Sequence, residues 1–163
     1  EAEWEYAARG GSGGREYVWG NGEKPVVGGQ KQGNVADESL KAVFPNFGMA
    51  GYDDGYLYTS PVATFAPNGF GLHDMAGNAA EWCADWYDEK YYAAFPKFAT
   101  ALEGLDAKVG RDPKGPAVGD LRVARGGSWN NNPTNLRVSS RIVFAPAYRD
   151  VGVGFRCVRD VLR

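Results

Sequence analysis

Cysteine and histidine are almost missing from this chain: Cys83, Cys157 and His73 are all that 163 residues contain. Two cysteines permit one disulfide and exclude a disulfide framework; whether they pair turns on a Cα separation that spacing does not give. Both lie in strand-like surroundings and are expected in the core, where a free cysteine behaves as a small hydrophobe. One histidine cannot build a histidine metal cage or a Ser/His/Asp triad without further support, so His73 is expected to be structural or superficial. No apolar run approaches the roughly 18 residues that a bilayer span requires. The formal charge is only −2 and the basic residues are scattered, which leaves no stripe to neutralise phosphates and excludes nucleic acid as a partner. No pair of carboxylates stands at a spacing that suggests acid–base work.

What the chain does have is apolar and aromatic mass. Hydrophobic residues make up 44% and aromatics 13%, enough to bury one sizeable core, and the length fits one domain over residues 1–163. With 23 Gly and 9 Pro, that domain is expected to be short elements joined by many turns. Trp4, Ala7 and Ala8 at helical spacing, ahead of Gly10-Gly11, predict a helix from Glu1 to Arg9 whose N-cap is missing. Residues 10–60 carry the turn signals Asn21-Gly22, Gly28-Gly29 and Asp54-Gly55 and predict loops with short strands. Residues 87–120 read as a variable connection that closes on the turn cluster Asp112-Pro113-Lys114-Gly115-Pro116. Val151, Val153, Phe155 and Cys157 alternate as a half-buried strand does, while Gly152 and Gly154 leave its other face open to a second backbone or an aromatic ring.

Four blocks carry a resemblance: Glu1-Ala-Glu-Trp-Glu-Tyr-Ala-Ala-Arg-Gly-Gly, Asn68-Gly-Phe-Gly-Leu-His-Asp-Met-Ala-Gly-Asn-Ala-Ala-Glu-Trp, Arg122-Val-Ala-Arg-Gly-Gly-Ser-Trp and Gly154-Phe-Arg-Cys. In that order they resemble the formylglycine-generating enzyme, or sulfatase-modifying factor, family, and they span nearly the whole chain. The resemblance implies an α+β fold, the family's variant of the C-type lectin fold: a small, twisted, mostly antiparallel sheet, few helices and much irregular loop. The family domain has a segment before the opening helix, so this one is expected to be N-terminally incomplete. Either the chain is clipped or naturally short, or a second chain is the partner that supplies the missing strands, since an unpaired sheet edge would otherwise be adhesive.

The resemblance also implies calcium, whose shell of about six to eight oxygens suits loops rich in Asp, Asn and Gly. One site maps onto Asn34, the carbonyl of Val35, Asp54 and the carbonyl of Tyr56; the other maps onto Asp74, the carbonyls of Gly77 and Ala79, and Glu81. Asp74 stands where relatives can carry an amide, which adds charge. Read without the resemblance, Asn34, Asp54 and Asp74 are equally residues that cap turns through neighbouring amides. Copper is not expected. The family's oxidases place two thiolates after the Arg-Gly-Gly-Ser block, and here that loop reads Trp129-Asn-Asn-Asn-Pro-Thr-Asn-Leu-Arg-Val-Ser-Ser-Arg141, without cysteine. The related sulfoxide synthases hold iron with three histidines on another domain, which a lone His73 does not resemble.

The segment from Asn130 to Val153 is expected to form the ligand-facing surface, with Asn130, Asn131, Asn132, Ile142, Phe144, Tyr148 and Asp150 as binding residues. Phe144 and Tyr148 read either as rigid anchors for a protein or small-molecule ligand or as a local core on Trp129. Arg125, Arg137, Arg141 and Arg156 read as structural, bonding loop carbonyls. The fold is also that of variable proteins of diversity-generating retroelements, and the side chains at 142, 143, 144, 147, 148, 150, 151 and 153 are all reachable from an asparagine codon altered at its adenines. The expectation is therefore a non-catalytic, calcium-stabilised binding module, with retroelement diversification as one form of it. The competing reading is an enzyme or accessory of the sulfatase-modifying or sulfoxide-synthase type whose chemistry lies in another segment or partner.

Overall fold

A computed structural model describes residues 1–46, 51–94 and 113–159. The opening helix, α1 (Ala2–Arg9), buries Trp4 and Ala8 on one face and stops at Gly10, whose φ of 56° is the left-handed conformation that glycine adopts without strain. Its last carbonyls are closed from outside, by Asn68 Nδ2 donating to Ala7 (2.6 Å) and Ala8 (3.3 Å). Two short strands follow, β1 (Val26–Val27) and β2 (Gln30–Lys31), joined by Gly28-Gly29. Both glycines have positive φ, 56° and 82°, as a two-residue hairpin turn with the twist of its strands requires. The short helix α2 (Glu38–Lys41) is capped by Asp37, whose carboxylate accepts from the Ser39 amide at 2.9 Å.

Four strands build the main sheet in the order β5-β4-β3-β6: β3 is Ala80–Trp86, β4 is Arg122–Arg125, β5 is Ile142–Phe144 and β6 is Val153–Gly154. β3–β4 and β4–β5 are antiparallel and β3–β6 is parallel, so the mostly antiparallel α+β expectation holds. The register of β3 against β4 shifts between Trp82 and Trp86. Core residues gather around Trp4, Ala8, Met75 and Val138, around Tyr17, Trp19, Val35, Tyr52 and Leu136, and around Ala36, Leu40 and Trp129. Among the described residues no helix is long and apolar enough to cross a membrane.

Four expectations need correction. The alternating strand from Val151 to Cys157 contracts to β6, with Val151 and Phe155 about three-quarters exposed and Cys157 on the surface. The glycine face is packed, while Val151 and Phe155 point outward and Val153 between the glycines stays half-buried. A Cβ on Gly152 would meet Ser128 at 2.9 Å and one on Gly154 would meet Ala79 at 3.4 Å, so the neighbours are small side chains rather than a backbone or ring. Cys83 fits the core reading better: it is half-buried beside the Trp4 cluster, and burial pushes its thiol up to about 11. Both thiols are free. Arg125, Arg141 and Arg156 bond loop carbonyls, but Arg137 pairs instead with Glu16 at 2.6 Å on the surface. Asp112, the first residue of the expected turn cluster, and residues 95–111 of the connection lie outside the described residues.

Candidate functional site

β4 and β5 set the surface that follows them. Ile142 and Phe144 are two residues apart on β5 and project from one face, while the chain leaving β4 turns through Ser128 to Asn131. Together with the turn that enters β6, they enclose a cavity of about 270 Å³. Of the expected ligand residues, Asn130, Asn131, Ile142, Phe144, Tyr148 and Asp150 line it; Asn132 does not, being exposed at the start of the 3₁₀ turn Pro133–Leu136. Ala80, Ser128, Asn135, Gly152 and Val153 complete the lining; Asn135 and Val153 fall in the expected 130–153 surface, and Val153 among the codon-reachable positions, but none of the five was among the expected binding residues.

The cavity has two kinds of wall. On one, Phe144 and Tyr148 stack with ring centres 4.3 Å apart and planes 3° from parallel, and Trp82 meets Phe144 edge-on at 5.7 Å. The support beneath Phe144 is therefore Trp82, not Trp129. Trp129 lies against Ala36 and Leu40 and meets Tyr58 edge-on at 5.2 Å. The other wall is polar and internally braced: Ser128 Oγ donates to Asn130 Oδ1 (2.7 Å), the Ser128 amide to Asn131 Oδ1 (3.0 Å), and the Gly152 amide to Asp150 Oδ1 (2.9 Å).

Behind that wall lies the first candidate cation loop. Asp54 is buried; its Oδ2 accepts from the Val35 amide and its Oδ1 from the Tyr56 amide, each at 2.9 Å. Asp37, missed in the sequence, is buried beside it and accepts from the Asp54 amide at 2.6 Å. Asn34 Nδ2 donates to the Tyr58 carbonyl at 2.8 Å, but its Oδ1 is buried with no hydrogen-bond partner. The Tyr56 carbonyl accepts from Ser39 Oγ at 3.2 Å. Neither Asp37 nor Asp54 forms an ion pair with a basic side chain among the described residues. Two buried carboxylates and an orphaned amide oxygen, with no cationic side chain, are an arrangement that a bound divalent ion would complete.

Burial first, and then the Asp37 charge, push the Asp54 carboxyl from its ordinary 3.8 up to about 6. A folded-state value above the unfolded one gives stability that is present below about pH 4 and lost as pH rises through 6. Metal-free protein is therefore expected to melt higher at pH 5 than at pH 7 in thermal scans with chelator, and Asp54→Asn should reduce that difference; a slope unchanged in the variant would count against it.

The second loop runs into β3. Asp74 has φ 56°, its Oδ2 accepts from the Ala63 amide at 2.8 Å, and its Oδ1 is buried and unpartnered. Gly77 donates to the Gly126 carbonyl at 3.0 Å. Glu81 is held by Trp4 Nε1 at 2.7 Å and by Arg156, whose Nε and Nη2 lie 2.7 and 2.5 Å from its two oxygens. His73 Nδ1 sits 2.8 Å from the Phe65 carbonyl, a structural bond as expected. The two loops touch: the Asn78 amide donates to the Asn34 carbonyl at 2.8 Å, and the Trp129 amide donates to the Asn78 carbonyl at 3.0 Å. The Ala36 amide also donates to the Asn131 carbonyl at 3.2 Å, tying the first loop to the cavity wall.

Residues 1–161 match the family described as sulfatase-modifying factor enzyme 1-like domain. The chain is 40% identical over 163 residues to the formylglycine-generating enzyme of Streptomyces coelicolor, which covers 98% of this chain and 45% of that protein. Among solved structures it resembles PvdO from Pseudomonas aeruginosa (TM-score 0.61, 30% identity, 94% of this chain and 48% of that one). It also resembles Treponema denticola variable protein 1 (TM-score 0.56, 31% identity, 94% and 44%). The chain thus spans less than half the length of each of these proteins. By sequence match over nearly its whole length and by fold, the chain belongs to the sulfatase-modifying factor enzyme 1-like domain family.

Proposed function

We propose that this chain is a non-catalytic binding module, with the cavity between β5 and the Ser128–Asn131 turn as its recognition site and calcium in the Asn34–Asp54 loop as its brace. The observation that carries this reading is the cavity itself: a stacked aromatic wall faces a wall of amides, a hydroxyl and a carboxylate, and the residues come from separate segments. Such a site suits a protein side chain or small molecule with a flat apolar part and a polar head. The loop from Trp129 to Arg141 offers amide and aliphatic groups in place of thiolates, so it supplies no soft ligand for copper. Calcium would be held by Asn34 Oδ1, Asp54 and the carbonyls of Val35 and Tyr56, and would neutralise the buried carboxylates there.

A screen of aromatic-containing peptides and small planar molecules by thermal shift, followed by titration of hits, tests the site. Tyr148→Ala is expected to weaken binding by about 10-fold or more, the equivalent of losing ~1.4 kcal/mol of stacking and apolar contact. Binding that ignores both Tyr148→Ala and Asp150→Ala would place the ligand elsewhere. Conversion of a cysteine-containing sulfatase peptide in the presence of copper would overturn the non-catalytic reading in favour of the enzyme one.

A more particular form of the reading is a variable protein of a diversity-generating retroelement. It is favoured by the resemblance to Treponema denticola variable protein 1 and by the way Ile142, Phe144, Tyr148, Asp150 and Val153 surround one cavity. A neighbouring reverse transcriptase gene with a near-copy of the codons for Ser128 to Arg156 would establish it.

A further inference from the structure

The two candidate cation loops differ in what already neutralises them. At the Asn34–Asp54 loop the carboxylates of Asp37 and Asp54 are buried without an ion pair among the described residues. At the Asp74–Glu81 loop a cation is built in. Arg156 lays its guanidinium edge along Glu81, Nε to Oε2 at 2.7 Å and Nη2 to Oε1 at 2.5 Å, and the same Nη2 reaches the carbonyls of His73 and Asp74, both at 3.1 Å. Trp4 Nε1 takes a further position on Oε2 at 2.7 Å. The pair is fixed by the sheet, because β6 runs parallel to β3 with Gly154 opposite Glu81, two residues before Arg156.

We infer that in this chain the Arg156 guanidinium stands in for a second metal ion, so that the Asp74–Glu81 loop does not take calcium while Arg156 is present. A calcium ion using Glu81 would have to break a two-point charge-assisted pair whose carboxylate side chain is 10% exposed. It would then lie beside the displaced guanidinium, where like charges repel. Without Glu81, the loop offers the Asp74 carboxylate and two carbonyls, one side-chain ligand fewer than the Asn34–Asp54 loop provides. Arg156 thereby spans the turn and the strand, as a bridging ion would.

The inference rests in part on calcium binding at the first loop, and the test separates the two. Calcium bound per chain is counted by equilibrium dialysis and elemental analysis for wild type, Asp54→Asn, Glu81→Gln and Arg156→Gln, each checked for folding by circular dichroism. The expected result is one calcium in wild type, lost in Asp54→Asn, kept in Glu81→Gln, and a second ion gained in Arg156→Gln. Two ions in wild type, one of them lost in Glu81→Gln, would overturn the inference. No calcium in wild type but one in Arg156→Gln would uphold it and refute the first-loop site; none in either would overturn both. If Arg156→Gln does not fold, Glu81→Gln decides: an unchanged count upholds the inference and a lost ion overturns it.

Discussion

Removing calcium with EDTA is expected to lower the melting temperature by about 5–10 °C. At a calcium concentration near 100 times the dissociation constant, binding to the folded state alone adds ~2.7 kcal/mol, and for a chain of this size each kcal/mol shifts the melting point by about 2–4 °C. The physical source is the pair of buried carboxylates, Asp37 and Asp54, which have amide donors but no cationic partner among the described residues, and the unpartnered Oδ1 of Asn34. Asp54→Asn removes one charge and one ligand at once. It should melt near the chelated wild type and no longer respond to EDTA. Differential scanning calorimetry with and without chelator measures both, and a wild-type melting point indifferent to EDTA would refute the calcium site.

Trp4→Ala is expected to be the most damaging single truncation, at about 3–5 kcal/mol, a large share of the ~5–15 kcal/mol that holds a domain folded. Trp4 packs with Ala8, Met75 and Val138, and its indole also donates to Glu81 at 2.7 Å. Trp4→Phe separates the two contributions: it keeps an aromatic ring in the core but leaves Glu81 one donor short, for about 1–3 kcal/mol. Urea denaturation of the three proteins gives both differences. A Trp4→Ala loss below ~1 kcal/mol would show that α1 is not part of the cooperative core.

What sequence could reveal depended on the range of the interaction. The α1 stop at Gly10 and the Gly28-Gly29 hairpin turn are decided by residues next to one another, and both were legible. That Asn130, Asn131, Ile142, Phe144, Tyr148 and Asp150 share one surface was also legible, because they fall in one stretch of chain between family blocks. The outward face of β6 was not, since alternation fixes which residues share a face but not which face packs. That depended on Ser128 and Ala79 closing on the glycines. The Glu81–Arg156 pair joins positions 75 residues apart, and only the parallel pairing of β3 with β6 brings them together. Asp37 was missed: it caps α2, and its second bond, to the Asp54 amide, belongs to tertiary structure.

The three hydrogen bonds that tie the first loop to the chain around the cavity, Asn78 to Asn34, Trp129 to Asn78 and Ala36 to Asn131, would give a bound calcium ion and a bound ligand a shared framework. Thermodynamic reciprocity then governs the pair: whatever factor the ion contributes to ligand affinity, the ligand returns to the ion. A cell could in that case regulate recognition on this face through free calcium alone, without altering a residue of the pocket.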